Sequence, residues 1–257
     1  MSRSPDGLKM FLFDAMFGDD FREGITLMTD ESKRRAAQRA IEFVADGQIV
    51  GLGTGSTTRF AIEGLARRVA EGLKITGVPT SIETERMAVA LGITLADLNE
   101  LDCIDVTIDG ADSVDPRFNM IKGGGGALTR EKLVAIASKR RIIIVDDSKL
   151  VDHLGLTWAV PVEVLPFAWR LTRDRLIKLG CQPTVRHKEG APFKTDNGNY
   201  ILDCDFGAIR DPESLEPAIK LVPGVVESGL FIAIADVLVI GFQDHVELKE
   251  RASAPAE

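Results

Sequence analysis

The sequence IDGADSVDPRFNMIKGGGGALTREK, residues 108 to 132, organises the rest of the chain. Asp109 and Asp112 follow an apolar run, Lys122 precedes four consecutive glycines, and Glu131 lies in the helical pattern after them. Glycines gain nothing from side-chain packing, but they let backbone N–H groups approach an anion closely. The stretch therefore predicts a site where carboxylates and a lysine move protons beside an oxyanion. The alternative is an acidic surface turn followed by a flexible loop, which needs neither the lysine before the glycines nor the helix after them.

Short apolar runs alternate with helical patterns over the first two thirds of the chain. The runs are residues 49–52, 73–78, 93–95, 104–108 and 142–145. This alternation predicts an α/β fold, in which a Rossmann-like domain has a parallel sheet with helices on both faces. Beyond residue 155, strands and turns without helical crossovers predict a smaller α+β domain. We expect the catalytic domain to comprise residues 28–154 and 233–250, the smaller domain residues 155–232, and a frayed tail residues 251–257.

Helix starts are predicted from capping residues. Thr29 or Asp30 is a suitable N-cap for a first helix over residues 30–46, and Thr80 with Glu83 resembles a capping box for a later one. Residues 1–27 are then expected to be an extension outside the fold. The apolar run 10–17 within them contains Asp14, which is unlike the uninterrupted core of a signal peptide.

Composition excludes several classes of protein. Lysine and arginine total 31 against 39 aspartates and glutamates, giving a net charge of −8 that argues against a nucleic-acid partner. The three cysteines form no CxxC pair, which fits a reducing cytoplasm. The apolar run 230–240 contains Asp236 and is too short to span a bilayer. The sequence thus predicts a cytoplasmic protein without a membrane segment.

A second glycine-rich stretch, Gly51-Leu52-Gly53-Thr54-Gly55-Ser56, ends the first predicted strand. Ser56 stands where a dinucleotide-binding fingerprint needs its third glycine, and no Gly-Lys-Ser/Thr of a Walker A loop is present. A glycine turn followed by hydroxyls at a helix start favours a phosphate monoester. Taken alone, a tight turn with Ser56 or Thr57 as a plain N-cap explains the pattern about as well.

Three polar clusters strengthen the functional interpretation. Residues 54–57, 109–112 and 146–149 each follow a predicted parallel strand. The carboxyl ends of parallel strands share one edge of the sheet, where ligands of open α/β folds bind. We expect the three clusters to meet in one crevice, with Lys122 and Glu131 brought there by the next loop and helix.

The expected chemistry is proton abstraction beside a carbonyl group. The three histidines, His153, His187 and His245, lie outside the clusters, and no metal-ligand spacing is present. A carboxylate must then act as the base, since burial can raise its pKa into the useful range. No metal and no cofactor are predicted.

The motifs GLGTGSTT, IDGAD, IKGGGGALTREK, DDSK, PVEVLPFAW, TDNGNYILD and PGVVESGLF closely resemble type A ribose-5-phosphate isomerase, over residues 29 to 246. The resemblance implies interconversion of D-ribose 5-phosphate and D-ribulose 5-phosphate through an enediolate, in the non-oxidative branch of the pentose phosphate pathway. It also implies a homo-oligomer, either a dimer or a tetramer.

The resemblance also implies roles for single residues. Glu131 matches the base that transfers the proton. Asp109, Asp112 and Lys122 match residues around O1, O2 and the ring oxygen of the sugar. These four are the predicted catalytic residues.

Further positions match substrate-binding residues of the family. Lys149 in DDSK matches a substrate-binding lysine, and Lys33 aligns with a lysine near the phosphate. The other predicted substrate contacts are Thr54, Gly55, Ser56 and Thr57 in the first loop and Gly110, Ala111, Gly123, Gly124 and Gly125 in the second.

The chain departs from the family pattern at two positions. Ser113 stands where many members have glutamate, and Gly126 replaces a common alanine. Two other functions are considered: a non-catalytic sugar-phosphate sensor, which would not need Glu131 and Lys122 together, and an enzyme resembling CoA-transferases, which would need a separate nucleophilic glutamate.

Overall fold

The structure is a computed structural model that describes residues 19 to 251, with side chains from residue 30 onward. Most of the predicted extension, residues 1–18, and most of the predicted tail, residues 252–257, lie outside the described residues. At the C-terminal end, the backbone N–H of Arg251 donates to Asp236 O at 2.8 Å, so this residue is tied to the fold.

The main sheet has seven strands: β1 (Ile49–Leu52), β2 (Thr76–Pro79), β3 (Thr94–Leu95), β4 (Ile104–Asp109), β7 (Ser138–Asp146), β15 (Val237–Gly241) and β16 (Val246–Glu250). Their spatial order is β16-β15-β7-β4-β1-β2-β3. All neighbours pair in parallel except β15 with β16. The predicted parallel α/β sheet is therefore confirmed. Strand β7 is longer than predicted because it starts at Ser138 instead of residue 142.

Helices cover both faces of this sheet. They are α1 (Asp19–Ala40), α2 (Ser56–Ala70), α3 (Ile82–Ala90) and α4 (Leu128–Ile136). Successive strand residues point to opposite faces, so Ile142 and Ile144 join the core under α1 and α2, whereas Ile143 and Val145 join the core that contains Leu128 of α4. This alternation explains why β7 is apolar at every position from 142 to 145.

A four-stranded antiparallel sheet comes from the later part of the chain. Its strands are β8 (Val160–Val164), β9 (Gln182–Val185), β12 (Tyr200–Asp205) and β13 (Val225–Ser228), in the order β13-β8-β12-β9. Helices α5 (Trp169–Ile177) and α6 (Pro212–Lys220) pack against it around a separate apolar core. The residue boundaries given above for the two domains stay predictions.

Short strands connect the two parts. Strands β5 (Ser113–Val114), β6 (Met120–Ile121) and β14 (Leu230–Phe231) form a three-stranded sheet in the order β14-β6-β5. Strands β10 (His187–Lys188) and β11 (Ala191–Pro192) form a hairpin. Because β14 follows β13 directly and pairs with β6, the glycine-rich segment after β6 is held next to the smaller sheet.

Two predicted helix starts are wrong. Helix α1 begins at Asp19, so Thr29 and Asp30 lie inside it and residues 19–27 are helical, while the expectation that residues 1–27 lie outside the fold stays a prediction. Extending an existing helix costs only each residue's propensity, so possible N-caps do not interrupt it. Helix α3 is capped by Ser81, whose hydroxyl accepts the Thr84 N–H, while the Thr80 hydroxyl donates to Leu52 O. In the described part of the chain, no helix combines the length and apolarity that crossing a membrane requires.

Candidate active site

The three polar clusters meet at the carboxyl edge of the main sheet. The Gly53 N–H donates to Ile108 O at 3.0 Å, and the Thr54 N–H reaches Asp109 Oδ1 at 3.2 Å, which brings the turn after β1 against the end of β4. A side chain at residue 53 would overlap Asp109, so only glycine allows this approach. The pocket formed there is lined by Thr54, Gly55, Ser56, Thr57, Thr58, Gly110, Ala111, Asp112, Lys122, Gly123, Gly124, Gly125, Glu131 and Lys149.

Lys122 is the centre of the charged groups. Its ammonium lies 3.1 Å from Glu131 Oε1 and 3.0 Å from Asp109 Oδ2, and it donates to Gly110 O at 2.6 Å. The contact with Asp109 lacks hydrogen-bond geometry and is therefore an ion pair. All three side chains are almost fully buried. Glu131 Oε2 is buried and has no hydrogen-bond partner among the residues that the structure describes, so this oxygen is available to accept a proton.

Burial shifts the pKa values of these groups. It raises the pKa of Glu131 from 4.5 to about 8, helped by the negative charges of Asp109 and Asp112 and opposed by Lys122. Burial also raises the pKa of Asp109, against the effects of Lys122 and two backbone N–H groups. For Lys122, burial lowers the pKa, but the charges of Asp109 and Glu131 outweigh it and the pKa is raised. The ammonium thus stays charged while Glu131 titrates near neutral pH.

The glycine segment curls around Asp112. The Gly124 N–H donates to Asp112 Oδ2 at 2.7 Å, and the Gly126 N–H donates to Gly123 O at 2.9 Å. Gly123 and Gly126 have φ values of 107° and 84°, which side chains rarely adopt. The segment then enters α4, whose first turn contains Glu131. Glycines at these positions allow one short loop to hold both Asp112 and the base.

The other wall of the pocket is the N-terminus of α2. Its N-cap is Gly55 with φ of 120°, and no side chain within the described part of the chain caps the helix. The first backbone N–H groups of the helix therefore face the pocket without a side-chain acceptor, an arrangement suited to a phosphate. Among the hydroxyls there, that of Thr58 donates to Gly55 O at 2.9 Å.

The Thr54 hydroxyl lies among other side-chain hydroxyls. It lies within hydrogen-bond distance of the hydroxyls of Thr80, Ser81 and Thr84, at 2.7 to 3.1 Å. Thr54 lines the pocket, but its hydroxyl belongs to this cluster, which joins the first loop to the start of α3.

Lys149 reaches the pocket from the short 3₁₀ helix that follows β7. This 3₁₀ helix is capped by Asp146, which accepts the Ser148 N–H. The Lys149 ammonium lies 5.4 Å from the centre of the Trp158 ring, a cation–π distance that orients the side chain.

All predicted site residues except two line the pocket. Asp109 lies behind Lys122 and does not line the pocket. Lys33 also does not line it, and its ammonium lies 3.9 Å from Asp30 on the same helix. Thr58 was not predicted, although it continues the hydroxyl run after Gly55, and extending the predicted anion site over the first helical turn would have found it. Ser113, the first departure from the family pattern, is buried in β5 outside the lining.

Comparisons with known proteins identify the family of this chain. Residues 76–245 match the family model of ribose 5-phosphate isomerase A (phosphoriboisomerase A). The ribose-5-phosphate isomerase A of Gloeobacter violaceus is 51% identical over 227 residues, covering 88% of this chain and 99% of the relative. That of Thermomicrobium roseum is 48% identical over 231 residues, covering 89% and 98%.

Solved structures of ribose 5-phosphate isomerases have the same fold as this chain. A D-ribose-5-phosphate isomerase in complex with phospho-erythronic acid superimposes with a TM-score of 0.85 at 40% identity, covering 87% of this chain and 99% of that chain. The ribose 5-phosphate isomerase A of Methanocaldococcus jannaschii superimposes with a TM-score of 0.83 at 38% identity, covering 86% and 99%. The chain belongs to the ribose 5-phosphate isomerase A family and is an isomerase.

Proposed function

We propose that the pocket interconverts D-ribose 5-phosphate and D-ribulose 5-phosphate, with Glu131 as the general base. The observation that carries the proposal is a buried Glu131 whose Oε1 pairs with the permanently charged Lys122, while its Oε2 has no hydrogen-bond partner in the described part of the chain. A base with a pKa near the working pH removes a weakly acidic proton most effectively. The reaction would belong to the non-oxidative branch of the pentose phosphate pathway.

The proton transfer follows from this arrangement. With the open-chain aldose bound, Glu131 takes the proton from C2, and the electron pair moves toward the carbonyl to give an enediolate. The hydroxyl on O2 loses its proton, O1 gains one, and Glu131 returns its proton to C1. Hydrogen stays within one substrate molecule as a proton, so this scheme needs no redox cofactor.

Lys122 stabilises the negative charge that develops on the substrate oxygen. Asp109 holds Lys122 in place, and Asp112 lies where it can contact a substrate hydroxyl. A fixed cation contributes most where negative charge appears only in the transition state. Lys122 is held by Asp109, Glu131 and Gly110 O, so it has no need to reorganise during the reaction. Asp112 lines the pocket and is held by the Gly124 N–H, which suits a role beside a substrate hydroxyl.

The substrate phosphate is assigned to the N-terminus of α2. The uncapped N–H groups after Gly55 and the hydroxyls of Ser56 and Thr57 provide donors, and Lys149 adds a positive charge from the 3₁₀ helix after β7. One solved relative was determined with phospho-erythronic acid, a ligand that combines phosphate and carboxylate groups. This supports a pocket for phosphorylated sugars in the present chain.

Replacing the base tests the proposal. Glu131→Gln keeps the shape of the side chain but cannot accept a proton, so kcat for ribose 5-phosphate should fall about a hundredfold to ten-thousandfold while KM changes little. The measurement is ketose formation over time with purified protein. Glu85→Gln, an exposed glutamate on α3, is the matched control and should leave kcat unchanged. If Glu131→Gln keeps more than about a tenth of the wild-type kcat, Glu131 is not the base.

A further inference from the structure

Arg186 is a residue of the smaller sheet that does not line the pocket. It directly follows β9, and its backbone is held on both sides, because its N–H donates to Ile201 O at 2.9 Å and its carbonyl accepts the Phe193 N–H at 2.8 Å. The guanidinium Nε donates to Asp203 Oδ2 on β12 at 3.0 Å, and a second guanidinium nitrogen donates to Asp203 Oδ1. The two-pronged pair fixes the direction in which the guanidinium points.

From this position the guanidinium reaches the glycine segment. One terminal nitrogen donates to Gly123 O at 2.8 Å and to Gly124 O at 3.0 Å. Arg186 is thus hydrogen-bonded to two adjacent peptide groups that form the floor of the pocket, although 63 residues separate it from Gly123 in sequence.

The planarity of the peptide group means that these contacts also fix the direction of the N–H groups that follow the two carbonyls. In a planar trans peptide, the C=O and N–H bonds point in opposite directions. Holding Gly123 O therefore turns the Gly124 N–H away from Arg186, and this N–H donates to Asp112 Oδ2 at 2.7 Å. Holding Gly124 O likewise turns the Gly125 N–H away from Arg186. Gly125 lines the pocket, and within residues 19–251 its N–H has no hydrogen-bond acceptor.

The glycines cannot fix these orientations themselves. Without side chains, a glycine segment has more backbone freedom than any other, and fixing each residue costs about 1–2 kcal/mol of conformational entropy. An external anchor that binds consecutive carbonyls reduces this freedom where the pocket requires it.

We propose that Arg186 is a positioning residue for the isomerase reaction, which holds the peptides after Gly123 and Gly124 so that one N–H braces Asp112 and the next binds a substrate oxygen. This inference rests on the proposed function. The oxygen bound by the Gly125 N–H is one that gains negative charge, since a fixed backbone donor contributes most there.

Arg141 provides a matched control. It binds Asp236 through its guanidinium and also donates to Ser138 O and Ile234 O, so it makes the same kinds of contact as Arg186. It lies near the start of β7, at the opposite edge of the main sheet from the pocket. If Arg186 only stabilised the fold, replacing it should have the same effects as replacing Arg141.

The experiment compares Arg186→Met, Arg186→Lys and Arg141→Met in ribose 5-phosphate isomerisation, with rates expressed per folded molecule. Displacing a catalytic group by about 1 Å costs roughly a hundredfold, so we expect a loss of that size in kcat/KM for Arg186→Met, chiefly in kcat. Arg186→Lys should retain more activity, because an ammonium still reaches a carbonyl but cannot hold both carbonyls and Asp203. Arg141→Met should lower the Tm without changing kcat or KM.

Hydrogen exchange gives a readout that is independent of activity. Amides of residues 123–126 should exchange faster in Arg186→Met than in the wild type, and at the wild-type rate in Arg141→Met. If Arg186→Met does not fold, Asp203→Asn takes its place, because it weakens the anchor without removing the arginine. It should also lower kcat/KM and speed the exchange of residues 123–126.

Wild-type kcat, KM and exchange rates in the Arg186 variants would overturn the positioning role. A wild-type protein that fails to isomerise ribose 5-phosphate would overturn the proposed function instead, and the exchange rates would then show by themselves whether Arg186 orders the glycine segment.

Discussion

At the scale of single residues, Lys122 and its carboxylates show how burial produces a usable base. An ordinary glutamate is ionised at neutral pH and is a weak base. The pKa of Glu131 is raised to about 8 because burial penalises its charged form and two aspartates repel it. Lys122 limits this rise by pairing with Oε1, and it leaves Oε2 without a partner. The same group of charges therefore sets both the basicity and the accessibility of the carboxylate.

The pH dependence of kcat/KM should follow the pKa of Glu131. Only the ionised carboxylate accepts a proton, so kcat/KM should fall tenfold for each unit of pH below about 8 and level off above it. The profile is measured with ribose 5-phosphate over pH 5 to 9. The second ionisation of the substrate phosphate, with a pKa of about 6, adds a separate lower step.

The variant Asp109→Asn tests whether the upper step in this pH profile is the titration of Glu131. Asp109→Asn removes a negative charge that raises the pKa of Glu131, so the step should move to lower pH. A kcat/KM that stays level from pH 9 down to about pH 7 in the wild-type protein, as expected for a base with the ordinary glutamate pKa of 4.5, would contradict the raised value.

At the scale of structural elements, the glycine segment between β6 and α4 has different requirements at each position. Gly123 and Gly126 need positive φ, whereas at Gly124 a Cβ would lie 2.6 Å from Asp112 Oδ1. At Gly125 a Cβ would make only an ordinary contact, 3.8 Å from the Thr54 methyl group. At Gly126, where the family commonly has alanine, the ring of Phe193 fills the space that a Cβ would take.

Two neighbouring substitutions test this distinction. Gly124→Ala should lower kcat/KM by at least tenfold because its methyl group displaces Asp112, and it should leave the Tm within a few degrees because the clash is with the end of a flexible side chain. Gly125→Ala keeps its N–H and adds only an ordinary contact with the Thr54 methyl group, so it is the control and should retain more activity. The measurements are isomerase kinetics and thermal unfolding of both variants. Equal losses of kcat/KM in the two variants would show that Gly124 is not required to keep Asp112 in position.

At the scale of the whole molecule, a buried lysine joins the helix that carries the base to the smaller sheet. The ammonium of Lys132 in α4 lies 2.8 Å from Glu227 and 3.3 Å from Glu216, and it donates to Leu230 O at 2.9 Å. It also lies 4.9 Å from the centre of the Phe231 ring. Since Glu131 is the preceding residue, this joint fixes the base relative to both parts of the fold.

Removing this joint should destabilise the protein. Lys132→Met leaves Glu227 with Lys220 as its remaining lysine partner and removes the donor to Leu230 O, so we expect a loss of about 1–3 kcal/mol, the cost of leaving a buried acceptor unsatisfied. The free energy of unfolding is measured by urea titration. Lys139→Met is the control, because Lys139 pairs with Asp105 at the surface, where such pairs contribute about 0–1 kcal/mol. Equal effects in the two variants would contradict a structural role for the Lys132 cluster.

The sequence by itself determined the order of the elements and the meeting point of the polar clusters. Both follow from local properties: apolar periodicity sets the strands and helices, and parallel strands place their carboxyl ends at one edge. Residues 54–57, 109–112 and 149 could therefore be assigned to one pocket without knowledge of any contact. The motifs around Lys122 and Glu131 likewise identified the family, which the comparisons confirm.

Which side chains touch depends on the tertiary structure. It places Asp109 behind Lys122, engages the Thr54 hydroxyl with other hydroxyls, keeps Lys33 out of the lining, and brings Arg186 to the glycine carbonyls. Such contacts join residues distant in sequence, and they depend on strand register and on packing between the two sheets. The start of α1 at Asp19 has a related cause, since a helix extends once part of it is packed, whatever capping residues lie along its path.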